Sequence, residues 1–123
     1  MTDDMFTDHD RRHSIVVEYM KSNNTADERK VAEALRPILE QYVRVAYPED
    51  FPPGSLLGRF ANKCEQNLGK SDEILNEDQL SELQALIKYS NRYHHDNPTW
   101  ETEIINDQEL QHFCARVLKF TRR

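Results

Sequence analysis

Apolar residues recur along this chain at intervals of three and four, the spacing that puts one face of a helix inward. The pattern opens at Ile15, Val16, Tyr19 and Met20 and predicts a first helix over residues 11–22. The ten residues before it hold four aspartates and little apolar periodicity. Residues 1–10 are therefore expected to form a flexible acidic segment. Ser22, Asn23 and Asn24 read as a turn, and Thr25 with Glu28 matches a capping box that starts a second helix. Its stripe is Val31, Leu35, Ile38, Tyr42 and Val45, ending near residue 46. Pro37 falls inside that stripe, where it costs roughly 3 kcal/mol. The stripe keeps its phase across the proline, so one kinked helix is expected rather than two.

A stiff loop over residues 47–54 ends in Pro52-Pro53-Gly54, after which Ser55 is placed to cap a third helix. That helix is expected over residues 56–68, with Leu56, Leu57, Phe60, Ala61, Cys64 and Leu68 inward. Gly69 is positioned as its stop. Asn76 and Gln79 form a second capping-box pattern, opening a fourth helix that reaches residue 93 or 95. Its stripe, Leu80, Leu83, Ile87, Ser90 and His94, turns polar near the end. The first three should pack against the second helix. Asn97-Pro98 stops it. A loop with Trp100, Ile104 and Ile105 follows, and Asn106 with Glu109 caps a fifth helix that turns Leu110, Phe113, Cys114, Val117 and Leu118 inward. With no repeat, low-complexity tract or linker, five such helices predict a single all-α bundle over residues 11–123.

Composition narrows the picture. At 123 residues the chain is long enough for one modest core. Three glycines argue against a turn-rich β protein. No run approaches the roughly 20 apolar residues of a membrane helix. The acidic start lacks a hydrophobic signal region, so a cytoplasmic protein is expected. Cys64 and Cys114 fall at apolar helical positions without CxxC or Cys/His ligand spacing, and read as buried thiols. A formal charge of −6 argues against generic binding to nucleic acid but leaves room for a local basic pocket.

Candidate chemistry is concentrated where the fourth stripe turns polar. Residues 90–100 hold Asn91, Arg92, His94, His95 and the only tryptophan, Trp100. About fifty residues upstream, Arg36 and Glu40 stand at i, i+4 on one helix. That pair reads first as an exposed ion pair worth about 0.3–0.5 kcal/mol. Its place beside the apolar stripe leaves a semi-buried pair open. A histidine here can satisfy a hydrogen bond at the helix end and, when charged, complement the helix dipole. A metal site from His94, His95, Asp96 and an upstream carboxylate is a weaker reading, because adjacent histidines are poor helical spacing for shared ligation. Hence no metal and no cofactor is expected. Trp100 reads as a core or edge anchor, or as a platform for a nucleobase. Gathered in one pocket, arginine, glutamate and histidine would suit metal-independent phosphodiester cleavage. Imidazole moves the proton near neutral pH, the guanidinium stabilises charge on phosphorus, and RNA supplies its own 2′-hydroxyl nucleophile.

Three segments carry a resemblance. They are Ala34-Leu-Arg36-Pro-Ile-Leu-Glu40-Gln-Tyr-Val-Arg44-Val-Ala-Tyr-Pro48, the turn Pro53-Gly54-Ser-Leu-Leu-Gly58, and Asn91-Arg-Tyr-His-His95-Asp-Asn-Pro-Thr-Trp100. Together they resemble the C-terminal region of bacterial AAA/ABC-type ATPases related to the anticodon nucleases of phage defence, over residues 13–121. The resemblance implies a HEPN-like helical bundle. It also implies an endoribonuclease, of transfer RNA or as a toxin, with an ATPase partner or parent domain and a homodimeric assembly. It places Arg36, Glu40 and either His94 or His95 in catalysis, with Asn91, Arg92, Arg44 and Trp100 contacting RNA. Arg92-Tyr-His-His is more compact than the commoner HEPN signature, and no ATPase motif is present. The alternative it leaves is a non-catalytic interaction or dimerisation domain of such a system.

Overall fold

The computed structural model describes residues 8–22, 27–95 and 97–122. Five helices account for most of them: α1 (Asp8–Ser22), α2 (Glu28–Ala46), α3 (Leu57–Gln66), α4 (Glu77–Asn91) and α5 (Asp107–Phe120). No strand occurs among the described residues, and none of the helices is long and apolar enough to cross a membrane. The bundle is all-α, as the periodicity requires. Helix α2 is its centre, packing on α1, α4 and α5, while α3 leans on α4 and α5 touches α1 and α4. The expected contact between the second and fourth helices is therefore present.

Helix α2 owes its central place to the width of its apolar face. Val31, Ala32, Ala34, Leu35, Ile38, Leu39 and Val43 are all buried. The inward positions late in the helix are Leu39 and Val43, whereas Val45 is 45% exposed. The helix passes through Pro37 without a break. Its cap is Asp27, whose carboxylate accepts from the Arg29 and Lys30 amides at 2.9 and 3.5 Å. Thr25, the cap expected from sequence, lies outside the described residues, as do Asn23 and Asn24 of the expected turn. Helix α1 already includes residues 8–10, which the acidic pattern assigned to the flexible segment. Residues 1–7 lie outside the description.

Corrections of detail fall at helix ends, where side-chain periodicity carries least information. Leu56 is the N-cap of α3, with extended backbone and no side-chain capping bond. It is 54% exposed rather than inward, because a residue outside the helix does not follow the helical phase. Ser55 does not cap α3; its amide donates to the Pro52 carbonyl at 3.0 Å and closes the turn. Gly69 has φ 75 and its amide donates to Glu73 Oε1 at 2.8 Å. Its left-handed backbone favours glycine, but α3 already ends at Gln66 with Asn67 as its C-cap, so the expected stop at Gly69 falls in the turn beyond the helix. The α4 capping box is complete on both sides, with Asn76 and Gln79 exchanging bonds at 2.8 and 2.9 Å. In α5, Asn106 accepts from the Glu109 amide at 2.9 Å. The Glu109 carboxylate turns to Arg92 instead, at 3.2 Å.

Polar links also tie the helices together. The buried Tyr19 hydroxyl of α1 donates to the Asp107 carboxylate in the first turn of α5. Burial and that bond raise the phenol above its ordinary value. Glu28, in the first turn of α2, shares this seam, and its interaction with the Asp107 carboxylate, followed by burial, holds its carboxyl above the usual carboxylate range. On the far side, Arg116 clasps Glu82 with two bonds of 2.9 and 2.7 Å. Cys64 and Cys114 are buried free thiols, as expected.

Candidate functional site

Helix α4 ends at Asn91, so His94 and His95 follow the helix rather than sit on it. The chain leaves in tight turns. The amides of Arg92, Tyr93 and His94 donate to the carbonyls of Tyr89, Ser90 and Asn91 at 3.1–3.3 Å. Tyr93, fully buried, pins the turn by donating its hydroxyl to the Ile104 carbonyl at 3.3 Å. Asn97 then organises the loop. Its side-chain nitrogen donates to the Arg92 carbonyl at 2.8 Å, and its oxygen accepts from the Thr99 amide at 3.2 Å. This is a side-chain-mediated turn of the kind asparagine favours. Arg29 of α2 completes the anchorage, its two terminal nitrogens donating to the Trp100 and Glu103 carbonyls at 2.8 and 2.7 Å. Trp100 is thereby held against His95, with ring centroids 4.3 Å apart. The His94 and His95 rings lie 6.2 Å apart.

The candidate residues divide between two grooves. One, of about 390 Å³, runs between α1, α2 and the histidine turn, and is lined by Arg12, Lys30, Glu33, Pro37, His94 and His95 among others. The second, of about 400 Å³, lies on the α3 side and contains Arg36 and Asn91 together with Arg59 and Asn62. Helical geometry accounts for the division. Lys30, Glu33 and Pro37 share one face of α2, and at 3.6 residues per turn Arg36 points roughly 100° away from it. Arg36 therefore does not line the groove of the histidines.

Arg36 is instead a brace between two helices. Its side chain is 11% exposed. A terminal nitrogen donates to the Asn91 carboxamide oxygen on α4, and Nε stands 3.4 Å from Glu40 Oε2 without hydrogen-bond geometry. The exposed-pair reading of Arg36 and Glu40 is corrected: the arginine is nearly buried, because the i, i+4 pair borders the seam between α2 and α4. Arg92 serves the α4–α5 seam. It pairs with Glu103 at 3.6 Å and Glu109 at 3.2 Å, and its guanidinium lies over the Tyr89 and Tyr93 rings at 5.4 and 5.3 Å. Arg44 packs over the Phe51 ring at 5.3 Å.

The structure thus brings together Arg36, Glu40 and Asn91 in one group, and His94, His95 and Trp100 in another. Arg44 and Arg92 stand apart from both. Among the described residues no three of histidine, cysteine, aspartate and glutamate gather into a ligand set. Asp96, required by the metal reading, lies outside the description. Sequence reasoning missed Arg12, Lys30 and Glu33 as neighbours of the histidines. The i, i+3, i+7 spacing of Lys30, Glu33 and Pro37 on the polar face of α2 was the available signal. Two imidazoles beside one groove provide a proton acceptor and a proton donor for substrate placed between them. No protein-family model, curated protein or solved structure matches this chain.

Proposed function

We propose that this chain is a metal-independent endoribonuclease of the HEPN-like kind, acting on transfer RNA in phage defence or as a toxin. The supporting observation is the pair of imidazoles, 6.2 Å apart, that line one groove on a turn anchored to α2. One imidazole takes the proton from a ribose 2′-hydroxyl as its oxygen bonds to the adjacent phosphorus. The other gives a proton to the departing 5′-oxygen as the P–O5′ bond breaks. The products are a 2′,3′-cyclic phosphate and a free 5′-hydroxyl. Arg36 and Glu40 act in this scheme through the α2–α4 seam, by holding the end of α4 from which the histidine turn departs. The same reading carries a cytoplasmic setting, a homodimer, and an ATPase partner or parent domain.

Incubation with transfer RNA in excess EDTA tests it. Cleavage is expected to persist, and His94→Ala or His95→Ala should lower it by about 10²–10⁴-fold. Failure to cut any RNA under these conditions sinks the proposal. A second reading, a non-catalytic interaction domain, is favoured by one observation: Arg36 is committed to Asn91 and Glu40 in the groove away from the histidines. On that reading Arg36→Ala changes stability or partner binding, and no RNA is cut.

A further inference from the structure

Most of the helical cations near the candidate site are already engaged. Arg29 binds two carbonyls, Arg36 braces α4, Arg92 pairs with two glutamates and Arg44 covers a phenyl ring. Arg12 of α1 and Lys30 of α2 differ. Among the described residues neither side chain takes part in an ion pair or hydrogen bond, yet both line the groove that His94 and His95 close. Glu33 is the one carboxylate among the described residues that line that groove. Among the described residues two permanent cations therefore face one anion there, inside a chain whose formal charge is −6. A local positive field in an acidic protein selects small or strand-like anions that reach into a groove, rather than polyanions lying across the surface.

We infer that this groove is a seat for a phosphate oxyanion, with Arg12 and Lys30 as its charged ligands and the two histidines along its edge. Arginine supplies a planar fork of donors and lysine a mobile point charge, the two complementary ways of holding phosphate. They come from different helices, so an anion between them would be clasped from two sides. One wall is already fixed, because the His95 ring lies tilted against Trp100 with centroids 4.3 Å apart, and the Trp100 carbonyl is held by Arg29. At about 390 Å³ the groove falls in the range of small-ligand sites. Assigning the phosphate to an RNA strand rests on the ribonuclease reading; the oxyanion seat itself does not.

A 2′-O-methyl RNA oligonucleotide has no free nucleophile, so its binding can be followed by fluorescence anisotropy without cleavage. Arg12→Ala and Lys30→Ala should each weaken binding about tenfold and lower the salt slope by about one. Arg59→Ala removes an exposed cation from the α3-side groove and should leave binding unchanged. Arg12→Lys and Lys30→Arg, which keep the charge, should retain most of it. Inorganic phosphate, titrated while amide resonances are recorded, should shift Lys30, His94 and His95. Phosphate shifts without RNA binding would make free phosphate the source and count against the ribonuclease. An equal loss in Arg59→Ala and Arg12→Ala, or phosphate that leaves the histidine turn unmoved, overturns the seat.

Discussion

Replacing Arg36 with alanine separates a helix brace from an exposed ion pair, because the two roles differ several-fold in energy. An exposed i, i+4 pair contributes about 0.3–0.5 kcal/mol. In the structure the Arg36 side chain is 11% exposed and hydrogen-bonds the Asn91 carboxamide across the α2–α4 seam. A hydrogen bond to a charged group contributes about 1.5–3 kcal/mol. The aliphatic stem adds packing that alanine cannot replace. Glu40 is 27% exposed and can rehydrate when its partner leaves, which limits the penalty of the orphaned charge. The expected loss is about 2–3 kcal/mol. Urea denaturation followed by circular dichroism should show the midpoint falling with an unchanged slope. The melting temperature should fall by about 8–12 °C for a domain of this size. A double-mutant cycle with Asn91→Ala should recover a coupling of about 1–2 kcal/mol. Arg36→Lys keeps the charge without the fork and should fall between. A loss below about 0.5 kcal/mol, or no coupling to Asn91, would refute the brace.

Other expectations follow from the titrating groups. The Glu28 carboxyl is held above the usual carboxylate range, chiefly by its interaction with Asp107. Its contribution to stability is therefore present at low pH and lost as pH rises through that folded value; Glu28→Gln should flatten this part of a stability–pH curve, and an unchanged curve would contradict the shared carboxyl seam. Glu82 is shifted the other way, chiefly by its bond to Arg116. Its contribution is present above the unfolded value and lost as pH falls through the folded one, and Arg116→Ala should remove that acid-side loss; about a third of each side chain is exposed, so the effect should stay within about 1 kcal/mol. Burial pushes the Cys64 and Cys114 thiols up to about 11 and about 12. Both should resist a thiol reagent at pH 8 until urea unfolds the chain, and rapid labelling of the native protein would count against their burial.

Periodicity revealed the five helices because each buries one continuous face, and that requirement is local. It failed where the chain leaves the helix, at Leu56, or where a stripe drifts, at Val45. It also understated α4, whose buried face includes Leu86 and Tyr89 as well as the expected stripe. The Arg36–Glu40 pair was visible from its spacing, but its burial was not. That depends on Asn91, which lies 55 residues away along the chain. The neighbours of the histidines were harder still. Arg12 and Lys30 reach them only through the packing of α1 on α2, and no spacing within either helix points to residue 94 or 95. Arg29 left no trace in its partners, because it binds backbone carbonyls that every residue possesses.

That last contact makes the loop after α4 a reporter on the rest of the molecule. A segment of tight turns and polar residues ordinarily opens by itself, far below the free energy of global unfolding. Here two of its carbonyls are held from the first turns of α2, across 71 and 74 residues of sequence. Loop opening then requires releasing a buried helix's arginine, so the loop belongs to the same cooperative unit as α2. Amide hydrogens over residues 99–103 should exchange on the timescale of α2 rather than of a surface loop. Arg29→Ala would split that unit in two, leaving His95 on a segment that opens while the bundle stays folded.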